Sequence, residues 1–125
     1  MAQRTDFTDW VGEQLAPLGA IRIKSMFGGF GVYCDELFFA LVDDDVLYFK
    51  ADDLNRRRFI EAGAEIFRYP MKDGRLSELS YYRAPDAALD DQSELLDWAR
   101  LGLDAALRAR TAKAKKTKPA RAAKN

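Results

Sequence analysis

The segment of this 125-residue chain closest to a phosphate cradle is Gly28-Gly29-Phe30-Gly31-Val32-Tyr33-Cys34, because closely spaced glycines let backbone N–H groups approach an anion. A dinucleotide fingerprint would require Gly or Ala where Cys34 stands and a helix after it, and a Walker loop would require Gly-Lys-Ser or Gly-Lys-Thr. Neither pattern is met. The glycines instead predict a strand that bulges, or one whose bare backbone admits a neighbouring ring or helix. Cys34 is the only cysteine and there is no histidine, so an internal disulfide, a His-activated thiolate and a zinc site of recognisable spacing are all excluded. Cys34 reads as an inert strand thiol. Asp43-Asp44-Asp45 has the composition of a calcium loop but not its alternating ligands, its glycine or its distant glutamate, and reads as a solvated hairpin turn. Asp52-Asp53 and Asp90-Asp91 stand where helix N-termini favour negative charge. The expectation is a protein that is not an enzyme, with no catalytic residue, cofactor or metal assigned.

Three further groups could meet a partner. Arg56-Arg57-Arg58 is a concentrated cation site, but consecutive helical residues point in different directions and cannot form one stripe, so a solvated face with local ion pairs is expected. Ser80-Tyr81-Tyr82-Arg83 alternates across a strand, with Tyr81 and Arg83 on one face and Ser80 and Tyr82 on the other. One face should pack while the other can bind. The third group is Arg108, Arg110, Lys113, Lys115, Lys116, Lys118, Arg121 and Lys124, eight cations without an acid in residues 108–125. The whole chain is formally neutral, so these eight leave twelve basic against twenty acidic residues in 1–107, a net charge of −8. A polycation on an acidic body is the candidate nucleic-acid contact, sequence-independent and salt-sensitive.

The elements that must position these groups follow from periodicity. Thr5 and Asp6 cap a first helix with Phe7, Trp10, Val11, Leu15 and Leu18 on one face. Strands are expected at 21–34, 37–42 and 46–50, joined by short acidic turns and therefore antiparallel. A short helix from Asp52 to Ala62 ends at Gly63. Strands at 65–69 and 76–83 follow around Asp73-Gly74, and Asp91 with Glu94 opens a last helix using Leu95, Trp98, Ala99, Leu103 and Leu107. In the strand at 37–42, strict alternation puts Leu37, Phe39 and Leu41 on one face and Phe38, Ala40 and Val42 on the other. The expected fold is α+β, a two-layer sandwich of three helices and a five-stranded antiparallel sheet in the order α-β-β-β-α-β-β-α. Residues 1–107 form the domain; residues 108–125, without a large apolar side chain, are expected to be disordered when free. No run is long enough for a membrane span and the N-terminus lacks a signal-peptide pattern, so a cytoplasmic location is expected.

The order of motifs resembles the N-terminal domain of the TfoX/Sxy family, bacterial proteins associated with regulation of competence genes. The residues carrying the resemblance are Met26-Phe27-Gly28-Gly29-Phe30-Gly31-Val32-Tyr33, Phe39-Ala40-Leu41, Leu47-Tyr48-Phe49-Lys50, Phe67-Arg68-Tyr69, Tyr81-Tyr82-Arg83-Ala84-Pro85 and Leu95-Leu96-Asp97-Trp98-Ala99. The resemblance covers residues 5–107. It implies a secretion-chaperone-like α+β fold and a regulator of transcription that works through a protein partner, and it supplies no catalytic set. Full-length members of the family carry a second, helical domain where this sequence has its basic segment, so a stand-alone TfoX-N-like protein is expected. Asp35-Glu36 also replaces the usual Asp-Gly of the first hairpin. An uncovered sheet face or edge offers a route to a homodimer. The alternative is a small anionic-ligand protein or enzyme using the glycine-rich strand and nearby aromatics, with Arg83 or Lys50 fixing the anion. A concave, enclosed pocket at 28–31 lined by Tyr81, Tyr82 or Arg83 would distinguish it.

Overall fold

A computed structural model describes residues 5–26 and 28–123, with side chains placed as far as residue 113. Among the described residues, four α-helices and six strands follow one another as α1 (Asp6–Leu15), β1 (Ile21–Met26), β2 (Gly29–Cys34), β3 (Leu37–Asp43), β4 (Val46–Lys50), α2 (Arg56–Glu61), β5 (Ile66–Pro70), β6 (Leu76–Arg83), α3 (Asp86–Leu89) and α4 (Gln92–Ala123). The strands form one antiparallel sheet in the order β1-β2-β3-β4-β6-β5. The α+β class is as expected, but the sheet has six strands rather than five and there are four helices rather than three. Residues 21–34 fold back on themselves: Met26 pairs with Gly29 across a tight turn in which Gly28 has φ 82°, a left-handed conformation natural to glycine. The additional helix, α3, is a single turn after Pro85, too short to show a period.

Acidic turns make the next two hairpins. Asp35 and Glu36 have φ 49° and 69°, and Asp44 and Asp45 have φ 51° and 58°, the two consecutive left-handed residues of a tight hairpin whose twist matches its strands. Glutamate is a poor left-handed residue, and the first turn is held from outside. Asp35 N–H donates to the Ala20 carbonyl at 2.9 Å, Ala20 N–H donates to Asp35 Oδ1 at 3.1 Å, and Glu36 pairs with Arg22.

One irregularity decides which way the sheet's side chains point. The β2–β3 register shifts where Val32 faces Ala40 and Tyr33 faces Phe38, leaving Phe39 as an extra residue in β3. This bulge lets Phe39 and Ala40 both face the helices, after which the alternation is inverted. The sequence expectation of Leu37, Phe39 and Leu41 on one face is therefore corrected: Leu37, Phe39, Ala40 and Val42 join the helix-side core, while Phe38 and Leu41 face the other way.

The helix-side core combines Val11 and Leu15 of α1, Phe59 of α2, and Leu95 and Ala99 of α4 with Val32, Phe39, Leu47 and Phe49 of the sheet. Gly102 lets α4 settle onto it. A Cβ there would lie 3.1 Å from the Phe39 carbonyl oxygen and 3.2 Å from Phe49 Cβ. Buried Asn55 fastens the preceding loop, its Nδ2 donating to the carbonyls of Leu101 at 2.8 Å and Lys50 at 3.3 Å while Oδ1 accepts from Asp52 N–H at 2.8 Å. The expected starts of the first and last helices hold, whereas α2 is shorter than the expected 52–62 and begins at Arg56 behind Asn55, without a side-chain cap or an acid in its first turn. Thr5 and Thr8 form a reciprocal capping box on α1, and Asp91 Oδ1 accepts from Ser93 and Glu94 N–H at the start of α4.

α4 continues to Ala123. Ala, Lys and Arg, which dominate residues 108–118, are strong helix formers, whereas Pro119 is the poorest of all. Arg108 belongs to the body: Nε and Nη2 donate to the Asp52 carboxylate at 2.7 and 2.9 Å.

Candidate functional site

The face of the sheet away from the helices carries a second apolar cluster built from strand residues alone. Its floor is Leu41, Phe67 and Tyr81, and half-buried Phe38, Tyr48 and Tyr69 pack around it. The rings form chains across strands. Tyr33 meets Phe38 at 5.2 Å and Phe38 meets Tyr81 at 5.7 Å, while Tyr48 meets Phe67 at 4.9 Å and Phe67 meets Tyr69 at 6.1 Å between centroids. These separations suit offset or edge-on aromatic pairs. Between the two ends of the sheet the surface is concave, and a groove of about 730 Å³ runs past Met26, Gly29, Phe38, Leu41, Phe67 and Tyr81. Leu79 at its margin is 41% exposed.

The glycines shape this face. Gly31 pairs with Lys24 on one side and Leu41 on the other, and a Cβ on it would lie 2.9 Å from Met26 Sδ and 3.1 Å from the Phe38 ring. A Cβ on Gly29 would run into the Val42 carbonyl oxygen. The bare backbone therefore accommodates a ring and a neighbouring strand, as the sequence suggests. The small-ligand alternative requires an enclosed pocket, whereas the structure has a half-open groove lined by Gly29 and Tyr81 but not by Gly28, Gly31, Tyr82 or Arg83.

Cations stand beside the rings. Arg22 and Lys24 lie 5.7 and 5.4 Å from the Tyr33 centroid, and Lys50 lies 5.3 Å from that of Tyr81. Burial pushes the Tyr81 phenol well above its ordinary value, with Tyr33 adding to the shift, so Tyr81 is a neutral hydroxyl. Tyr48 is raised for the same first reason, with Asp43 next.

The sequence-derived residues divide between the two faces. Met26, Gly29, Gly31, Tyr33 and Tyr81 gather on the uncovered face, and Gly28 makes the turn beside it. Tyr82 and Trp98 belong to the other face, where Tyr82 stacks on Phe59 at 5.5 Å and the Trp98 ring leans on it, tilted, at 5.1 Å. Arg83 is half exposed with Nη1 3.9 Å from Glu65 Oε1. Phe27 and Lys124 lie outside the described residues, as do the side chains of Lys115, Lys116, Lys118 and Arg121. Arg56 and Arg57 are in local ion pairs with Asp53 and Glu61, as their positions suggest, and Arg56 also donates to Ser80 Oγ at 3.0 Å. Cys34 is buried, and burial followed by the Asp35 charge raises its thiol pKa, the opposite of nucleophilic activation. Phe38, Tyr48, Phe67 and Tyr69 were missed as site residues. Each sits in an ordinary strand pattern, and only the bulge and the sheet order bring them together.

Among the described residues no three His, Cys, Asp or Glu side chains are grouped as metal ligands, and no helix is long and apolar enough to cross a membrane. Residues 13–106 match the family model described as the TfoX N-terminal domain. The chain is 33% identical over 96 residues to Protein Sxy of Escherichia coli strain K12, covering 77% of this chain and 46% of that protein. It is 30% identical over 91 residues to DNA transformation protein TfoX1 of Aliivibrio fischeri, covering 67% of this chain and 43% of that protein. The chain thus spans less than half the length of these relatives. With a match over most of its length and its glycine and tyrosine motifs placed on one framework, this chain belongs to the TfoX N-terminal domain family.

Proposed function

We propose that this chain is a non-enzymatic regulatory module in bacterial DNA transformation, acting in the cytoplasm through a protein partner, with the basic end of α4 adding sequence-independent contact to nucleic acid. The observation that carries the reading is its kinship with a protein named for DNA transformation, over most of this chain's length. Charge supports the nucleic-acid part. Arg108 anchors the helix to an acidic body through Asp52, and beyond it residues 109–123 carry six cations and no acid on helical backbone. Such an arm neutralises phosphates without reading bases, so the logarithm of its affinity falls with that of salt by up to about 0.9 per phosphate contacted. The non-enzymatic reading rests on the lack of histidine and on the buried, unactivated Cys34.

Affinity capture of the intact protein from its own cells, with and without nuclease, tests this role. A component of the transcription machinery that stays bound after nuclease treatment is the expected result. Loss of every transcription component on nuclease treatment would contradict a direct protein partner.

A further inference from the structure

We propose that the uncovered face of the sheet binds single-stranded nucleic acid, its half-buried rings stacking on bases while Lys24 and Lys50 meet phosphates. Four observations converge on this occupant. Tyr33, Phe38, Tyr48 and Tyr69 are half-buried rings beside a closed floor of Leu41, Phe67 and Tyr81, and their water-exposed parts are aromatic surface of the kind on which bases stack without demanding a sequence. The charge of the two layers is segregated. Residues 5–18, 51–63 and 85–107, which hold the helices and their caps, carry twelve carboxylates against four arginines. Strand positions on the uncovered face carry Arg22, Lys24, Lys50 and Arg83 against Asp43, and with Glu36 and Glu65 from the adjoining segments included this layer has four cations against three carboxylates, far from the acidic balance of the helices.

The third observation is the placement of those cations. Lys24 and Lys50 have ring partners and no acidic partner among the described residues. Arg22 and Arg83 are paired only in exposed contacts with Glu36 and Glu65, which water and a phosphate can displace. Fourth, the groove of about 730 Å³ beside Gly29 is in the size range of small-molecule sites and has room for a base. A second copy would fit this face badly, because a two-fold contact would bring the same four cations together from both partners. Duplex would fit badly as well, since its bases are stacked on each other and closed to the rings.

This surface is separate from the helical arm, and the test keeps them apart. In the full chain, a combined R110A, K113A, K115A, K116A, K118A, R121A and K124A variant removes the arm's charge and keeps Arg108 on Asp52. Fluorescence anisotropy with labelled dT12 and with a twelve-base-pair duplex, at about 50 mM salt where phosphate contacts are strong, reads each surface. The neutralised chain is expected to retain dT12 binding, favouring it over duplex by at least about tenfold, and adding Y33S or K24E should weaken dT12 by about tenfold while Y33F does not. Lys24 is exposed, so K24E leaves the packing intact even if Y33S disturbs it. Loss of all dT12 binding on neutralising the arm would overturn the sheet proposal and leave the arm reading standing. Undiminished duplex binding by the neutralised chain would count against the arm instead. Equal affinity for duplex and dT12, or dT12 binding indifferent to both Y33S and K24E, would overturn the sheet proposal too.

Discussion

The two faces of the sheet are made from the same kinds of residue and come to opposite ends. On the helix side, Phe39, Phe49 and Phe59 are fully buried, Tyr82 and Trp98 close on Phe59, and α4 lies so near the strands that a Cβ at position 102 would come within 3.1 Å of the Phe39 carbonyl oxygen. On the other side Tyr33, Phe38, Tyr48 and Tyr69, among the described residues, pack only on their strand neighbours and keep part of their surface exposed. An aromatic residue therefore says little about role until its face is known. Large apolar rings left at a surface and flanked by cations carry a partner-binding signal that the same rings in a core do not.

Substitutions should separate the faces, and the largest effect is expected from Phe49→Ala. It empties a site with no exposure and should cost about 3–5 kcal/mol in denaturant unfolding. A loss similar to that of a surface substitution would mean the helix-side layer is loosely packed. Gly102→Ala comes next, because its methyl would press on the Phe39 carbonyl and on Phe49 from about 3 Å away; about 1–3 kcal/mol is expected, read by the same unfolding curves.

Arg108→Ala tests where the body ends. Its bidentate pair with Asp52 is partly exposed, so after screening the loss at neutral pH should be about 1 kcal/mol. Hydrogen bonding from Arg108, more than the backbone N–H groups of Asn55 and Leu54, holds the Asp52 carboxyl below its ordinary value of 3.8. The stabilisation is thus complete above that value and disappears as pH falls through the lower native value, so the parent and Arg108→Ala should converge in strongly acid solution. Unfolding measured from pH 7 downward would show the convergence. The smallest effect belongs to the uncovered face: Tyr69→Ser should change stability by no more than about 1 kcal/mol, since its ring is only half covered.

Much of this framework can be read from residue order. The acidic turns, the Thr5 and Asp91 caps and the division of Tyr81 from Tyr82 are local, each set within a few residues. The rest depends on contacts made across the chain. Gly28 looks like one glycine among several until Met26 is seen to pair with Gly29, and the extra Phe39 in β3 is defined only against its partner strand. Without that bulge, alternation assigns Leu41 to the wrong face. The groove joins β2 and β3 to β5 and β6, segments more than twenty residues apart in the chain, so no spacing announces it.

The most direct test of the distinction between the faces is a map of backbone amide shifts as the full, arm-neutralised chain is titrated with dT12. The account predicts changes at Lys24, Gly31, Phe38, Tyr48, Lys50 and Tyr81 that saturate together, with α1 and the Leu95–Ala99 turn of α4 unmoved. Changes confined to α1 and α4, or none along these strands at saturating dT12, would contradict it.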